Sequence, residues 1–391
     1  MGVIGASWRS SILKHWIGDK RVQLTAVADV SEKSLTWFKE NVEKNVDTTM
    51  DYRELTQRND LDAIMVMTPD FVHEEQALSA LNHGKHVYLE KPMAISIEGC
   101  DRLLNAARST GKSLMVGHNM RYMAMFQVMK RVLEQGEIGD LKAVWVRHFI
   151  CRGSDYYFHD WHARRQNTTS LLLQKGSHDF DMIHWLTGSY TRKVSGFGGL
   201  DYFGGDKPND LDCRHCDARD HCPEVNVEPR TLCAFRREVD VEDNQVVIME
   251  LENGIKASYS QCYFTPDYHR NYTIIGTEGR IENSELDSTV WIKHRKMGTV
   301  KSLYDAALTT SDDLDHGDAD KKILNDFVEV VLTGKAVSVE PTAARMSVAV
   351  GVMAAKSIRM GGALMNIPPV DTGNEAVNSL IRERSHMQSS D

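Results

Sequence analysis

The sequence predicts an α/β chain in two parts: a doubly wound parallel sheet, then an α+β unit built on a large, mostly antiparallel open sheet. Three observations predict it. Short apolar runs alternate with helical patterns over the first 120 or so residues, and two of these runs stop abruptly in polar turns, Thr68-Pro69-Asp70-Phe71-Val72-His73 and Glu90-Lys91-Pro92. Gly5 follows the first run, and Asp29 ends the second run 24 residues later, close to the spacing of a dinucleotide site. Beyond Tyr122 the strands lengthen and one hairpin carries Asn253-Gly254 at its tip.

Each element follows in order. Gly2-Val3-Ile4-Gly5 is a strand end, and the turn Ala6 to Ser11 leads into a helical stretch. Against the G-x-G-x-x-G pattern, Gly5 fills the first place while Ser7 and Ser10 stand at the other two, so the match is degraded but still small enough for a diphosphate to approach. Gln23 to Ala28 is the second strand. Asp29 at its end is placed to bind the adenosine ribose hydroxyls and to repel a 2′-phosphate, which favours NAD over NADP. Arg9 would compensate by holding a phosphate, and a helix N-cap is the structural alternative for Asp29, with Ser31 and Glu32 fitting that role too. Asp62 to Met67, a helix over Glu74 to Asn82, and the strand ending at Leu89 form a βαβ unit, which binds ligands at the carboxyl ends of its strands. Lys91, at the rim of a buried strand, is expected to be partly desolvated, with its pKa lowered toward neutrality. A helix over Ile97 to Thr110 and a strand over Ser113 to Val116 complete the first part.

The pairing of Thr-Pro-x-x-x-His (Thr68, Pro69, His73) with Glu90-Lys91-Pro92 resembles the glucose-fructose oxidoreductase / inositol dehydrogenase / MocA family. The resemblance implies a Rossmann domain in which Lys91 works beside a nicotinamide ring and the Thr68 turn touches the cofactor. Gly117-His118-Asn119-Met120-Arg121-Tyr122 is similar to a family segment at the crossing into the second domain; it implies Asn119 beside the nicotinamide and a ligand role for Arg121. With Gly5, Ser7, Trp8, Arg9, Asp29 and Glu90, these residues make up the expected cofactor site. The resemblance covers roughly residues 2 to 365, including Arg270 to Ile281.

A second constellation, Gln174-Lys175-Gly176-Ser177-His178-Asp179-Phe180-Asp181, is similar to the family's Asp-x-Gly-x-His-x-x-Asp, where the histidine is an acid/base. His178 and Asp181 match, but Gln174 replaces the first acid and cannot exchange a proton; Lys175 beside it resembles branches with Lys-x-x-His. Residues 174 and 178, four apart, are expected on one helical face. Lys91, His178 and Lys175 are the catalytic candidates, with His178 the better base at neutral pH on its unperturbed pKa of about 6.5. Trp161-His162-Ala163-Arg164-Arg165 is similar to a family Trp/Arg segment near the cofactor, so Arg121, His162, Arg164, Gln174 and Asp181 are the expected substrate contacts; a surface ion pair is the alternative for Arg164 or Arg165.

Cys213, Cys216, Cys222 and Cys233 have the spacing C-x2-C-x5-C-x10-C, the density of a loop closed by a structural zinc. Reduced thiols in an inserted loop or an iron–sulfur cluster are the alternatives, and His215 or His221 would substitute for Cys233.

At 391 residues, with 26% charged and 41% apolar residues, the chain is long enough for two cored domains. They are expected over residues 1–121 and 122–369, with a Cys-rich loop at 205–235 and a polar tail at 370–391. The net charge of −9 argues against nucleic acid as a partner. No apolar run approaches membrane-spanning length, and the chain opens directly into a strand, so a cytoplasmic protein is expected, one lacking a few native N-terminal residues. The expected function is NAD-dependent hydride transfer at a hydroxyl or keto carbon of a sugar, cyclitol or glycoside, by a homodimer or homotetramer joined through the C-terminal sheet. The alternative is a glycosidase of the same fold that uses NAD for transient oxidation, elimination and hydration.

Overall fold

The computed structural model describes residues 1–151, 157–284, 288–296, 298, 300–305 and 318–370, so the expected polar tail lies almost wholly outside the described residues. In the N-terminal part the strands are β1 (Gly2–Ile4), β2 (Ala26–Ala28), β3 (Asp47–Thr49), β4 (Ala63–Val66), β5 (His86–Leu89) and β6 (Leu114–Val116). Among the described residues these six form one parallel sheet in the order β3-β2-β1-β4-β5-β6. The central strands are buried on both faces, as a parallel sheet covered by helices requires. Strand order reverses between β1 and β4, which opens a crevice at their carboxyl ends.

Helices α1 (Glu32–Asn41), α2 (Tyr52–Thr56), α3 (His73–Asn82) and α4 (Ile97–Thr110) connect these strands. α4 has the predicted bounds for identifiable reasons. Ser96 caps it by accepting from the Gly99 amide at 3.0 Å, and Gly111 closes it in the left-handed conformation. β2 is shorter than the expected Gln23–Ala28 run because its partner β1 spans only three residues, so the ladder ends there.

The second part comprises α5 (Ala124–Glu134), β7 (Leu141–Phe149), α6 (Arg165–Thr168), α7 (Leu171–Gln174), α8 (Gly176–Thr187), β8 (Thr191–Gly199), β9 (Asn244–Leu251), β10 (Lys256–Cys262), β11 (His269–Gly276), β12 (Gly279–Ser284), β13 (Thr289–His294), β14 (Val300–Asp305), α9 (Ala319–Thr333), α10 (Pro341–Arg359) and β15 (Met365–Asn366). The sheet order is β14-β13-β12-β11-β7-β10-β9-β8-β15, antiparallel except where β10 runs parallel to β7. One face packs on α5, α8 and α10 around Phe126, Phe180, Tyr259 and Tyr272. The last two long helices also reach the first sheet. Phe327 of α9 meets Tyr88 of β5 edge-on at 5.7 Å, and Val348 of α10 shares a core with Val66 and Leu89. Residues assigned by sequence to the second part therefore cover the first, and the cleft between the two sheets has walls from both.

No helix of the described residues is long and apolar enough to cross a membrane.

Candidate functional site

Gly5 lies at the reversal point with φ +98°, and a Cβ there would meet the Met67 carbonyl oxygen at 2.6 Å, so only glycine lets β1 and β4 end this close together. Asp29, at the end of β2, ties the neighbouring turns: one carboxylate oxygen accepts from the Ala6 amide at 2.8 Å, the other from the Ser31 amide at 2.9 Å. Ser31, not Asp29, caps α1. Ser7 and Trp8 are exposed at the mouth of this turn. The helix they open, Trp8–Trp16, is 3-10 in type, and the Ser10 hydroxyl within it donates back to the Ser7 carbonyl at 2.6 Å.

Arg9 turns inward. Its Nε donates to Glu90 at 2.6 Å, and its two terminal nitrogens reach both oxygens of Asp320 at 3.1 Å. Burial works to lower the Arg9 pKa, but Glu90 and Asp320 outweigh it and hold the guanidinium charged. Asn119 donates to the same Asp320 at 2.8 Å, while its Oδ1 is buried with no hydrogen-bond partner among the described residues.

The Thr68 and Lys91 turns are stapled together by His73. Fully buried, its ring nitrogens face the Thr68 and Pro92 carbonyls at 2.8 Å each, so it holds the two motifs in register from below. Thr68 in turn donates to Gln76. Pro69 precedes the short 3-10 turn Asp70–Val72.

Lys91 crosses the cleft. Its Nζ donates to the main-chain carbonyl of Gln174 at 3.0 Å. Burial lowers its pKa, partly offset by Asp70 and Glu90. His178 is half-buried nearby, with Nδ1 unpartnered among the described residues, and its ring meets that of His118 edge-on at 5.7 Å. Burial, reinforced by Lys91 and His118, holds His178 neutral well below the usual histidine range. It is therefore a weaker base than its unperturbed pKa implies. Gln174 and His178 do not share one helix: α7 ends at Gln174, Lys175 forms the joint, and α8 begins at Gly176. α10 packs tightly on α7 just before the break: a Cβ on Gly351 would lie 2.8 Å from the Leu173 Cα.

Asp181 and Arg121 engage each other in a two-pronged pair at 2.7 and 2.6 Å, with His118 at 3.6 Å. Burial would raise the Asp181 carboxyl, but His118 and Arg121 hold it below the ordinary range. His162 stacks on Trp161 with ring centres 3.6 Å apart, and Trp161 meets Phe71 edge-on, next to Asp70. Arg164 points elsewhere, pairing with Glu238 at 3.6 Å. Lys91 with Gln174, His178 with His118, and Arg121 with Asp181 thus gather where the Rossmann rim meets the α7–α8 joint, while Asn119 joins Asp320 and Arg164 pairs with Glu238.

Sequence reasoning missed several residues of this cleft. Asp179 is fully buried beneath His178, bonded to His148 at 2.9 Å, to Tyr259 at 2.9 Å and to Tyr272, with Arg270 at 3.5 Å. Burial would raise its pKa, but Arg270 and His148 keep it ionised. Arg270 donates to His148 Nε2 at 3.0 Å, which leaves the Nδ1 proton for Asp179 and fixes the tautomer of a neutral imidazole. The alternation Val144, Val146, His148 along β7 marked His148 as inward-facing. Asp70, buried in the turn after β4, was visible only as a turn residue.

The described residues give no support to the zinc expectation. Among the described residues no group of three or more His, Cys, Asp or Glu side chains could hold a metal ion. Cys213 and Cys233 are buried and feel each other and the remaining two thiols, which with burial raises their pKa values. Other bonds order the loop. Cys213 N donates to Thr231 O at 2.6 Å, Cys233 N to Leu211 O at 2.8 Å, and buried Arg236 donates to the Phe158 and Cys233 carbonyls while Phe158 stacks on Phe203.

Comparison with known proteins bears on this cleft. Residues 1–118 match the model described as an oxidoreductase family, NAD-binding Rossmann fold, and residues 130–366 that of the same family's C-terminal alpha/beta domain. YteT of Bacillus subtilis (strain 168) is 28% identical over 271 residues, 60% of this chain and 63% of that protein. The inositol 2-dehydrogenase/D-chiro-inositol 3-dehydrogenase of Shouchella clausii is 31% identical over 165 residues, 42% of this chain and 45% of its own. The match thus spans less than two thirds of either relative. The scyllo-inositol dehydrogenase of Lactobacillus casei, solved with NAD(H) and scyllo-inositol, superposes with a TM-score of 0.70 over 94% of this chain and 98% of that one at 20% identity, a likeness of fold.

Proposed function

Because the chain belongs to the Gfo/Idh/MocA oxidoreductase family, with its NAD-binding Rossmann and C-terminal α/β domains, we propose that it transfers a hydride between NAD(H) and a hydroxyl-bearing carbon of a sugar, cyclitol or glycoside. The observation that carries this reading is Lys91, a lysine of lowered pKa held across the cleft at the rim of the Rossmann sheet. The crevice fits a dinucleotide: Gly5 leaves room where a side chain would clash, Asp29 presents a carboxylate beside the Ala6 turn, and Asn119 Oδ1 is a buried acceptor awaiting a donor. When bound, the nicotinamide supplies the hydride acceptor.

The residues of the chain divide the remaining work. Lys91 takes the hydroxyl proton and stabilises the forming carbonyl oxygen. Neutral His178 and His118 hydrogen-bond the adjoining hydroxyls, and Arg121 with Asp181 fixes the wall behind them. Lys175 adds positive charge at the α7–α8 joint. The Trp161–His162 shelf gives a ring-bearing substrate an apolar face to lie on, and Arg164 is a residue of the rim. Arg9 is already held by Glu90 and Asp320, so it does not offset the repulsion between Asp29 and a 2′-phosphate; this supports NAD over NADP. The dinucleotide-binding part is read as ending near residue 121.

The partner is a second copy of the chain. The outward face of the nine-stranded sheet exposes Trp145 of β7, Val246 and Ile248 of β9 and Phe197 of β8, with Leu364 just before β15, an apolar surface that a second copy could cover.

A second reading, glycoside cleavage through transient oxidation, is supported by Asp70, a buried carboxyl raised to about 7 by desolvation, where an elimination would need a further proton-exchanging group. Turnover of unsubstituted cyclitols and of aryl glycosides, read at 340 nm and by aglycone release, separates the two. Net NADH supports the dehydrogenase, and aglycone release without net NADH supports the glycosidase.

A further inference from the structure

Thr169, between α6 and α7, has φ +64° and ψ −50°, a backbone conformation that a β-branched side chain rarely adopts. Across it the Ser170 amide donates to the Thr168 carbonyl at 2.7 Å, closing a γ-turn of the strained hand. Such a conformation persists only where its surroundings hold it. Here Thr169 Oγ1 donates to the Ile95 carbonyl at 2.6 Å, and Arg359 of α10 donates to the Thr169 carbonyl at 2.6 Å. The next residue is anchored as well. Ser170 Oγ donates to buried Glu242 at 3.0 Å, and Glu242 also accepts from Arg359 at 2.8 Å.

Ile95 belongs to the loop that carries Lys91 from β5 to α4. Lys91 Nζ in turn donates to the Gln174 carbonyl at 3.0 Å, at the far end of α7. The segments 91–95 and 169–174 are therefore laced at both ends, each time by a side chain of one and a carbonyl of the other. α7 is a single turn of four residues, too short to hold its place unaided. We propose that Thr169 is a positioning residue for Lys91: its hydroxyl docks α7 on the Lys91 loop and so places the carbonyl that aims the lysine. The inference rests on the reading of Lys91 as the proton-exchanging group. It also accounts for a threonine where the backbone favours glycine. Glycine would adopt this turn without strain, but it has no hydroxyl to give to Ile95.

The test compares Thr169→Ser, Thr169→Val and Thr169→Gly in the full chain, with circular dichroism as the folding control. The direct readout is the rate at which trace acetic anhydride acylates Lys91 at fixed, mildly alkaline pH, followed by mass spectrometry. Valine keeps the shape and glycine relieves the strain, but both lose the hydroxyl. In each the Lys91 rate is expected to rise roughly threefold or more, because losing a hydrogen bond to the ammonium lowers its proton affinity. For the oxidised substrate kcat falls roughly 10-fold while KM changes little, the mark of a displaced catalytic group. Thr169→Ser keeps both at the wild-type level. An unchanged Lys91 rate in the valine and glycine variants overturns the proposal, as does an equal rise in Thr169→Ser. Because acylation reads Lys91 without turnover, a raised rate beside an unmoved kcat would count against Lys91 as the catalyst and leave its positioning by Thr169 standing.

Discussion

Lys91 Nζ and the Gln174 carbonyl oxygen lie 3.0 Å apart, so a single hydrogen bond joins the rim of the parallel sheet to the helix joint that carries His178. The lysine is thereby aimed into the cleft from one half of the molecule and held by the other. Its burial lowers the ammonium pKa, which suits a group that must gain and lose a proton near neutral pH.

Removing Lys91 or the neutral His178 that hydrogen-bonds beside it should therefore act on turnover more than on folding. Lys91→Ala and His178→Ala are each expected to lower kcat by roughly 100-fold or more, the usual scale for a positioned acid–base group. Steady-state kinetics with circular dichroism as a folding control checks this. Wild-type turnover in a folded variant removes that residue from the mechanism.

Cofactor choice should follow Asp29. The wild type is expected to bind NAD(H) more tightly than NADP(H), and Asp29→Ala to narrow the gap, since the carboxylate that repels a 2′-phosphate is gone. Calorimetric titration of both cofactors measures it, with tighter binding of the phosphorylated form by wild type as the contrary result.

Acid should destabilise the fold well above the carboxylate range. Burial lowers the pKa of His148 to about 3, with Arg270 adding to it, and that of His184 to about 4. Both stay neutral in the folded protein while the unfolded chain protonates them near pH 6.5. Their contribution is fully present above about pH 6.5 and is lost as pH falls toward the folded values, at about 1.4 kcal/mol per pH unit for each. Urea midpoints between pH 7 and 5 should fall accordingly, and His148→Gln should flatten the slope. A stability independent of pH over that range would contradict it.

The outward sheet face should hold two copies together. Trp145→Glu and Ile248→Glu place charge on the exposed apolar patch and are expected to yield monomers by light scattering without loss of the fold. An unchanged mass would assign that face another role.

Much of this was legible in the sequence because it depends on local spacing. Gly5 and Asp29, the Thr68 and Lys91 turns, and the bounds of α4 follow from where short apolar runs stop and which caps flank them. The Asp179–His148–Arg270 network was not, because its members come from α8, β7 and β11 and meet only when the sheet closes over the helix. The break at Lys175 was hidden too, because no proline or glycine stands at Lys175 to mark it in the sequence. The cysteine spacing could not be weighed from sequence alone, because whether four thiols converge depends on the main-chain bonds that fold the loop.

The most direct test of the central claim is absorbance at 340 nm when purified protein and NAD are mixed with a panel of inositol isomers, aldoses and simple glycosides. The account predicts stoichiometric, substrate-dependent NADH formation with at least one of them, abolished in Lys91→Ala. Turnover of a panel member with no NADH formed, or NADH formation that survives the loss of Lys91, would contradict it.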